Sequence, residues 1–176
     1  ETQHSDNVKG KFGSSGDLQI LHDGSNSYIS NHSGGHLYIQ QNLDDQDIVL
    51  QCDNGSGGTT AYLTLDGSAS RTTVQKMMRF EDNVQLTIGD GGDLELSHDG
   101  SISSINNYVG NLYIKQQADD KDIIFQSDDG SGGVENYIQI DGSEGRTLFN
   151  KHLRVNDDVE LQVGGSNDLR LYHDAT

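Results

Sequence analysis

The chain has 176 residues with 31% hydrophobic side chains and 22 glycines, a composition that leaves little apolar surface for one large self-contained core. Its formal net charge of −17 argues against nucleic acid and anionic membrane as partners, because both select a cationic face. The single cysteine, Cys52, excludes an internal disulfide, and no apolar run is long enough for a transmembrane helix.

Short strands separated by turns are predicted from the start of the chain. In residues 18–22, the side chains of Leu18, Ile20 and His22 fall on one face, a period of two that predicts a half-buried strand. Asp23-Gly24 then predicts a turn, because both residue types tolerate a positive φ. Turn signals follow at Asn54-Gly55 and Asp66-Gly67, and strands of about five to eight residues between them indicate an all-β chain.

The same elements recur about 75 residues later. Residues 37–52 and 112–127 are identical at nine of sixteen positions, including the string LYI at 37–39 and 112–114. The stretch DLQILHDGS at Asp17 returns as DLELSHDGS at Asp93 and DLRLYHDAT at Asp168. We therefore predict repeat unit 1 at residues 1–81, unit 2 at 82–156 and a truncated unit 3 at 157–176, and we expect the chain to belong to a longer fibre.

Exposed sheet edges and a thin apolar stripe predict that the units assemble. Each unit buries too little apolar surface alone, and unpaired strand edges are prone to association. Stacking units along an axis and winding identical chains around that axis solves both problems. We predict an elongated repeat fibre of short strands and hairpins, a β-helix-like or solenoid-like shaft built as an intertwined homotrimer. A monomeric solenoid is the alternative.

Several motifs in a fixed order carry a resemblance to a known class of proteins. They are G-D-L-x-[IL]-x-H-D-G-S, then L-Y-I, D-I-[IV], D-[DN]-G-S-G-G and a final [LI]-D-G-S turn, and together they cover residues 6–176. This order resembles repeats in tail-fibre and other virion structural proteins of marine bacteriophages, with cyanophages the nearest comparison. The resemblance implies a fibrous, trimeric β-structure on a virion tail appendage, outside the host cell, with its own copies and other virion proteins as partners.

The repeated His-Asp pairs invite a catalytic interpretation. A Ser-His-Asp device needs the aspartate to orient the histidine through space, whereas neighbours on a strand point to opposite faces. We therefore predict that the histidine ends the apolar stripe and the aspartate opens the turn, and we assign no catalytic residue and no cofactor. If three chains meet on an axis, one imidazole per chain is a plausible metal-ligand set, with the candidates His22, His98 and His173.

These observations predict a non-enzymatic function, as a structural section of the shaft of a bacteriophage tail fibre or a similar virion appendage. Two alternatives stay open. The first is a receptor-binding or adhesin module that recognises a host surface polysaccharide through its loops, with the candidate residues Asn26, Tyr28, Asn106 and Tyr108. The second is a polysaccharide depolymerase on a β-helical fibre, which needs a carboxylate pair in a groove. Tyr38 and Tyr113 are expected within strands, packing or lining the shaft.

Overall fold

The computed structural model describes residues 3–166 and 168–172. Every regular element in these residues is a β-strand, which confirms the prediction of an all-β chain. The strands form five small antiparallel sheets, here named A to E in chain order. The chain divides into two compact units, Glu1–Glu81 and Asp82–Thr176, and the second includes the residues of the predicted truncated repeat.

The first unit contains sheets A and B. Sheet A consists of β1 (Gly10–Phe12), β2 (Leu18–His22) and β3 (Ser27–Asn31), and sheet B of β4 (Ile48–Asp53), β5 (Thr59–Asp66) and β6 (Arg71–Val74). In each sheet the strands pair in sequence order with the middle strand at the centre, so each sheet is an antiparallel meander. The alternating residues predicted as a strand at 18–22 form β2, which confirms that prediction.

The second unit repeats this arrangement and adds a smaller sheet. Sheet C consists of β7 (Leu86–Ile88), β8 (Leu94–His98) and β9 (Ser103–Asn107), and sheet D of β10 (Ile123–Asp128), β11 (Val134–Asp141) and β12 (Arg146–Phe149). Sheet E pairs β13 (Leu161–Val163) with β14 (Leu169–Leu171). Sheets A and C have equal strand lengths, as do sheets B and D, so the sequence repeat is also a structural repeat.

A long-range contact ties the Asp-Gly turn of each larger sheet to the residues that precede it. In sheet D the amide of Gly142 donates a hydrogen bond to Asp122 Oδ1 at 2.9 Å. Any side chain at Gly142 would overlap the carbonyl oxygen of Lys121, so only glycine fits this crossing. Sheet B repeats the contact, with the Gly67 amide 3.0 Å from Asp47 Oδ1. Neither Gly67 nor Gly142 has a positive φ, so glycine is required in these turns by the close backbone approach and not by the turn conformation from which it was predicted.

A β-bulge interrupts the same two sheets at one tyrosine each. The register of β4 and β5 shifts so that Tyr62 has no cross-strand partner, and β10 and β11 shift in the same way at Tyr137. Each phenol reaches back along the hairpin, with Tyr62 Oη donating to Asp53 O at 3.2 Å and Tyr137 Oη donating to Asp128 O at 3.1 Å. Each phenol thereby ties the strand after the hairpin loop to the last residue of the strand before the loop.

The LYI repeats differ from the sequence prediction, because they are not strands. Residues 36–42 and 111–117 contain no strand, turn or bend, so Tyr38 and Tyr113 lie outside the sheets. The residue types favour a strand, but an extended segment becomes one only when another segment pairs with its backbone. Within each unit, the described strands contact only strands of their own sheet, and residues 36–42 and 111–117 form no bridge with any of them.

Candidate assembly surface

Each sheet concentrates large apolar side chains on one of its two faces, and sheet C shows this most clearly. A few lie on the opposite faces of sheets A, B and D, namely Leu21, Tyr28, Val49, Ile124 and Leu148. Successive side chains on a strand point to opposite faces, so the pairing register decides which residues lie together. One face, the apolar face, carries Leu86, Ile88, Leu94, Leu96 and Ile105. The opposite, polar face carries Thr87, Glu95, Ser97, Ser104 and Asn106. A sheet of this kind has one face for water and one face that needs a partner.

The other sheets have an apolar face of similar composition, made of aliphatic and phenylalanine side chains on neighbouring strands. In sheet A these are Phe12, Leu18, Ile20 and Ile29; in sheet B, Ile48, Leu50, Leu63, Leu65 and Val74; in sheet D, Ile123, Phe125, Ile138, Ile140 and Phe149; in sheet E, Leu161, Val163, Leu169 and Leu171. The apolar faces therefore recur along both units, four or five large residues at a time.

Burial is inverted relative to a folded monomer. No described hydrophobic residue is buried, whereas the side chains of Gln19, Thr64 and Asp141 are. All three alternate with apolar-face residues along their strands and so lie on the opposite faces. Nearby turn or strand-end residues contact them: Gln19 Nε2, for example, donates to the carbonyl oxygen of Gly16 at 3.0 Å, and Thr64 Oγ1 lies 2.6 Å from the side-chain amide group of Gln75. The chain itself buries these three residues of the polar faces and leaves most side chains of the apolar faces exposed.

The total exposed surface shows how much more surface this chain leaves in water than a folded monomer does. The chain exposes 14722 Å², whereas a folded monomer of its mass, 19.2 kDa, exposes about 8,400 Å². The excess of about 6,300 Å² is larger than the roughly 2,000–5,000 Å² that many obligate interfaces bury. Together with the open apolar faces, an excess of total surface on this scale indicates an interaction site, because soluble monomers rarely expose large contiguous apolar patches.

The candidate metal-ligating histidines lie at the ends of the apolar faces. His22 Nδ1 is 3.1 Å from Ser27 Oγ, and His98 Nδ1 is 3.0 Å from Ser103 Oγ, so each imidazole pairs with a serine on the neighbouring strand. His173 lies outside the described residues. No group of three or more metal-ligating side chains occurs among residues 3–166 and 168–172. An imidazole cluster would therefore need histidines from several chains.

The aspartates of the His-Asp pairs organise the hairpin turns. Asp23 Oδ1 accepts hydrogen bonds from the amides of Asn26 and Ser25 at 2.8 and 2.9 Å. These bonds, the Asn26 bond foremost, hold the pKa of Asp23 below its ordinary value of 3.8. Asp99 occupies the same place in sheet C, where the Ile102 amide makes the largest contribution to lowering its pKa. The carboxylates stabilise turns rather than orient the histidines.

Acid is expected to weaken these turns. A carboxyl whose pKa is lowered in the folded state stabilises the fold above its ordinary value of 3.8 and loses this contribution as the pH falls below it. The double variant Asp23→Asn/Asp99→Asn should therefore melt below the unmodified chain at pH 6, and the gap should close as the pH falls below 3.8. Melting curves by circular dichroism at each pH measure it. Asp90→Asn, at an exposed carboxylate outside these turns, is the control, and a constant gap would contradict the assignment.

The residues proposed for glycan binding are already engaged in contacts within their own sheets. Tyr28 Oη donates to Asp23 Oδ2 at 3.0 Å, beside the turn that contains Asn26. Asn106 lies on the polar face of sheet C, where its Nδ2 donates to Glu95 Oε1 at 3.2 Å. Tyr108 follows β9 and is exposed. The structure therefore brings Asn26 and Tyr28 together around one aspartate and places Asn106 beside Glu95.

Comparisons with known proteins assign no family to this chain. No protein family, curated protein or solved structure matches it. Among the described residues, no helix has the length and apolarity needed to cross a membrane.

Sequence reasoning found the stripe of sheet A but missed how far the open surface extends. The residues it missed include Met77, Met78 and Phe80, which follow sheet B and are all exposed. Their signal is present in the sequence: apolar residues continue outside the predicted strands, in segments without turn residues. Such residues in a highly charged chain indicate contact with a partner.

Proposed function

We propose that this chain is a structural segment of the shaft of a bacteriophage tail fibre or a similar virion appendage, built from three identical chains around a common axis. The observation that carries the proposal is the open apolar face on every sheet, in a chain that buries no described hydrophobic residue. A chain with this surface gains its core only by association. Identical chains are the natural partners because their apolar faces match in composition and spacing.

The order of the sheets supports a fibre rather than a closed particle. Sheets A and B are followed by sheets C and D of equal strand lengths, so the same pair of apolar faces recurs along the chain. When identical chains run side by side in register, each apolar face meets its own counterpart in the neighbouring chain. Adding repeats then lengthens the shaft without requiring a new kind of interface.

Three chains satisfy this geometry. Around a threefold axis, each apolar face contacts the corresponding faces of two other chains, so the ring closes and leaves no apolar surface free. The resemblance to phage tail-fibre repeats implies the same number. The net charge of −17 per chain then disfavours lateral association of finished fibres, because their surfaces repel one another.

The proposed role is mechanical and extracellular. Repeats set the length of the shaft, burial between chains makes it rigid, and other virion proteins attach at its ends. Because no step requires chemistry, we propose no catalytic residue and no cofactor. Contact with a host surface polysaccharide is a further possibility for the exposed loops, with the shaft as their support.

The assembly state tests this function directly. Sedimentation equilibrium of the purified chain is expected to give a particle of three 19.2 kDa chains that persists at sub-micromolar concentration. Sedimentation velocity of the same sample should give the high frictional ratio of a rod. A folded monomer would refute the assembly, a dimer would refute the threefold axis, and a compact trimer would refute the shaft.

A further inference from the structure

Two segments of the chain leave their backbone hydrogen-bonding groups without partners. Residues 36–42 (HLYIQQN) and 111–117 (NLYIKQQ) occupy equivalent places after sheets A and C. Within the described part of the chain, no backbone amide or carbonyl of residues 37–39 or 112–114 forms a hydrogen bond. Backbone groups are obligatory hydrogen-bonding groups, so a segment left in this state is ready to pair.

The two segments also match in their side-chain environment. Tyr38 and Tyr113 are 70% and 69% exposed, although aromatic residues rarely project into water to this extent. The same local hydrogen bond occurs at the end of both segments, where a glutamine side chain accepts a hydrogen bond from the backbone amide two residues later. Gln41 Oε1 accepts from Leu43 N at 3.0 Å, and Gln116 Oε1 accepts from Ala118 N at 2.9 Å. The exposed tyrosine and the glutamine hydrogen bond are therefore features of the repeat, because both copies have them.

Residues 36–42 lack the features that protect exposed strand edges, whereas residues 111–117 carry one charge, Lys115, directly after the LYI residues. Proteins that leave an edge in water place charges, prolines or bulges on it. Residues 36–42 contain no Asp, Glu, Lys or Arg, in a chain in which 22% of residues are charged. Leucine, tyrosine and isoleucine in succession instead favour pairing, because aromatic and β-branched residues fit a pleated surface. An unprotected edge of this kind indicates that it is covered.

We infer that residues 36–42 and 111–117 become β-strands by pairing with an extended segment of a second copy of this chain. This inference rests on the proposed function and adds to it the segments that carry the backbone bonds between chains. A second copy fits because it presents the same unpaired donors and acceptors at the same level of the repeat. The apolar faces then supply burial between chains, while these segments supply hydrogen bonds and therefore register.

Hydrogen exchange on the assembled full chain tests the inference. The amides of residues 37–39 and 112–114 are expected to exchange at least a hundredfold more slowly than in an unstructured peptide, close to the rates of β5 and β11. The hairpin loop at residues 54–58 serves as the internal reference for fast exchange. Rapid exchange of the LYI amides in an intact trimer would overturn this inference and leave the proposed shaft standing, whereas a monomer would overturn both.

Proline variants separate backbone pairing from simple burial. Alternate amides of an extended segment point to opposite sides, so one of Tyr38→Pro and Ile39→Pro removes a pairing donor. The proline variant that removes the pairing donor should associate at least about tenfold more weakly than the threonine variant at the same position, Tyr38→Thr or Ile39→Thr. The threonine variants are the controls because they keep the backbone amide. Association constants from sedimentation equilibrium measure the difference. Equal association of the proline and threonine variants at both positions would overturn the inference even if the amides exchange slowly.

Discussion

Replacing Ile105 by aspartate is expected to prevent assembly, while the same replacement one residue earlier is expected to be tolerated. Ile105 lies on the apolar face of sheet C, opposite Leu96, and Ser104 lies on the polar face, opposite Ser97. In the assembly, Ile105→Asp would place an unpaired carboxylate in an apolar contact, at a cost of about 3–5 kcal/mol per chain. Association should fall by at least about a hundredfold, measured by sedimentation equilibrium.

The contrast between these neighbouring residues is the informative result. In the isolated chain Ile105 is 62% exposed and Ser104 is less exposed, so a monomer would tolerate the charge better at Ile105. In an assembly through the apolar faces, the charge is instead tolerated better at Ser104 than at Ile105. Both residues lie on β9, so the intrinsic cost of aspartate in a strand is similar for the two variants. Trimeric Ile105→Asp, or loss of assembly by Ser104→Asp alone, would show that the interface uses other surfaces.

Replacing Gly67 by alanine is expected to destabilise the chain by about 1–3 kcal/mol, the usual range for an added group that has no space. The new Cβ would overlap the carbonyl oxygen of Gln46, and neither the backbone nor the turn can move without losing the bond from the Gly67 amide to Asp47. The backbone conformation of Gly67 is not itself unusual, so the effect comes from the contact rather than from φ. Chemical denaturation of the assembled protein measures the loss.

Gly34→Ala provides the matched control within the same unit. A Cβ at Gly34 would meet no atom within 4 Å, and its φ is not in the left-handed region. This variant should therefore match the unmodified chain or gain slightly, because alanine restricts the unfolded chain more than glycine does. Equal stability of Gly67→Ala and Gly34→Ala would mean that the crossing between residues 46 and 67 does not persist in solution.

Local sequence patterns predicted the strands and turns whose causes are local. The alternation at Leu18–His22 predicted β2, because a period of two is a property of the strand itself. The Asp23-Gly24 pair predicted its turn, because the aspartate bonds amides only two and three residues away and Gly24 has a positive φ. Because the same patterns occur in both repeat units, each of these elements was predicted twice, and this strengthened the prediction of an all-β chain.

Predictions failed or were missed where a distant partner decides the outcome. The LYI segments have strand-forming residues, yet they are unpaired, because pairing depends on a second backbone and not on propensity. The bulge at Tyr62 arises from the register between β4 and β5, which no pattern in β5 alone encodes. The contact of Gly67 with Asp47 spans twenty residues, so it was also invisible to local reasoning.

The sequence by itself determined the all-β class, the repeat and the alternation of apolar and polar residues, because each follows from local spacing and composition. Only the tertiary structure decided which face is covered. It buries Gln19, Thr64 and Asp141 and leaves the aliphatic side chains of the apolar faces in water. The physical reason is that the residues that cover a face come from outside the strand, so the pattern of the strand itself does not specify which face they reach. The apolar side is left open, and the proposed assembly of chains is inferred from that observation.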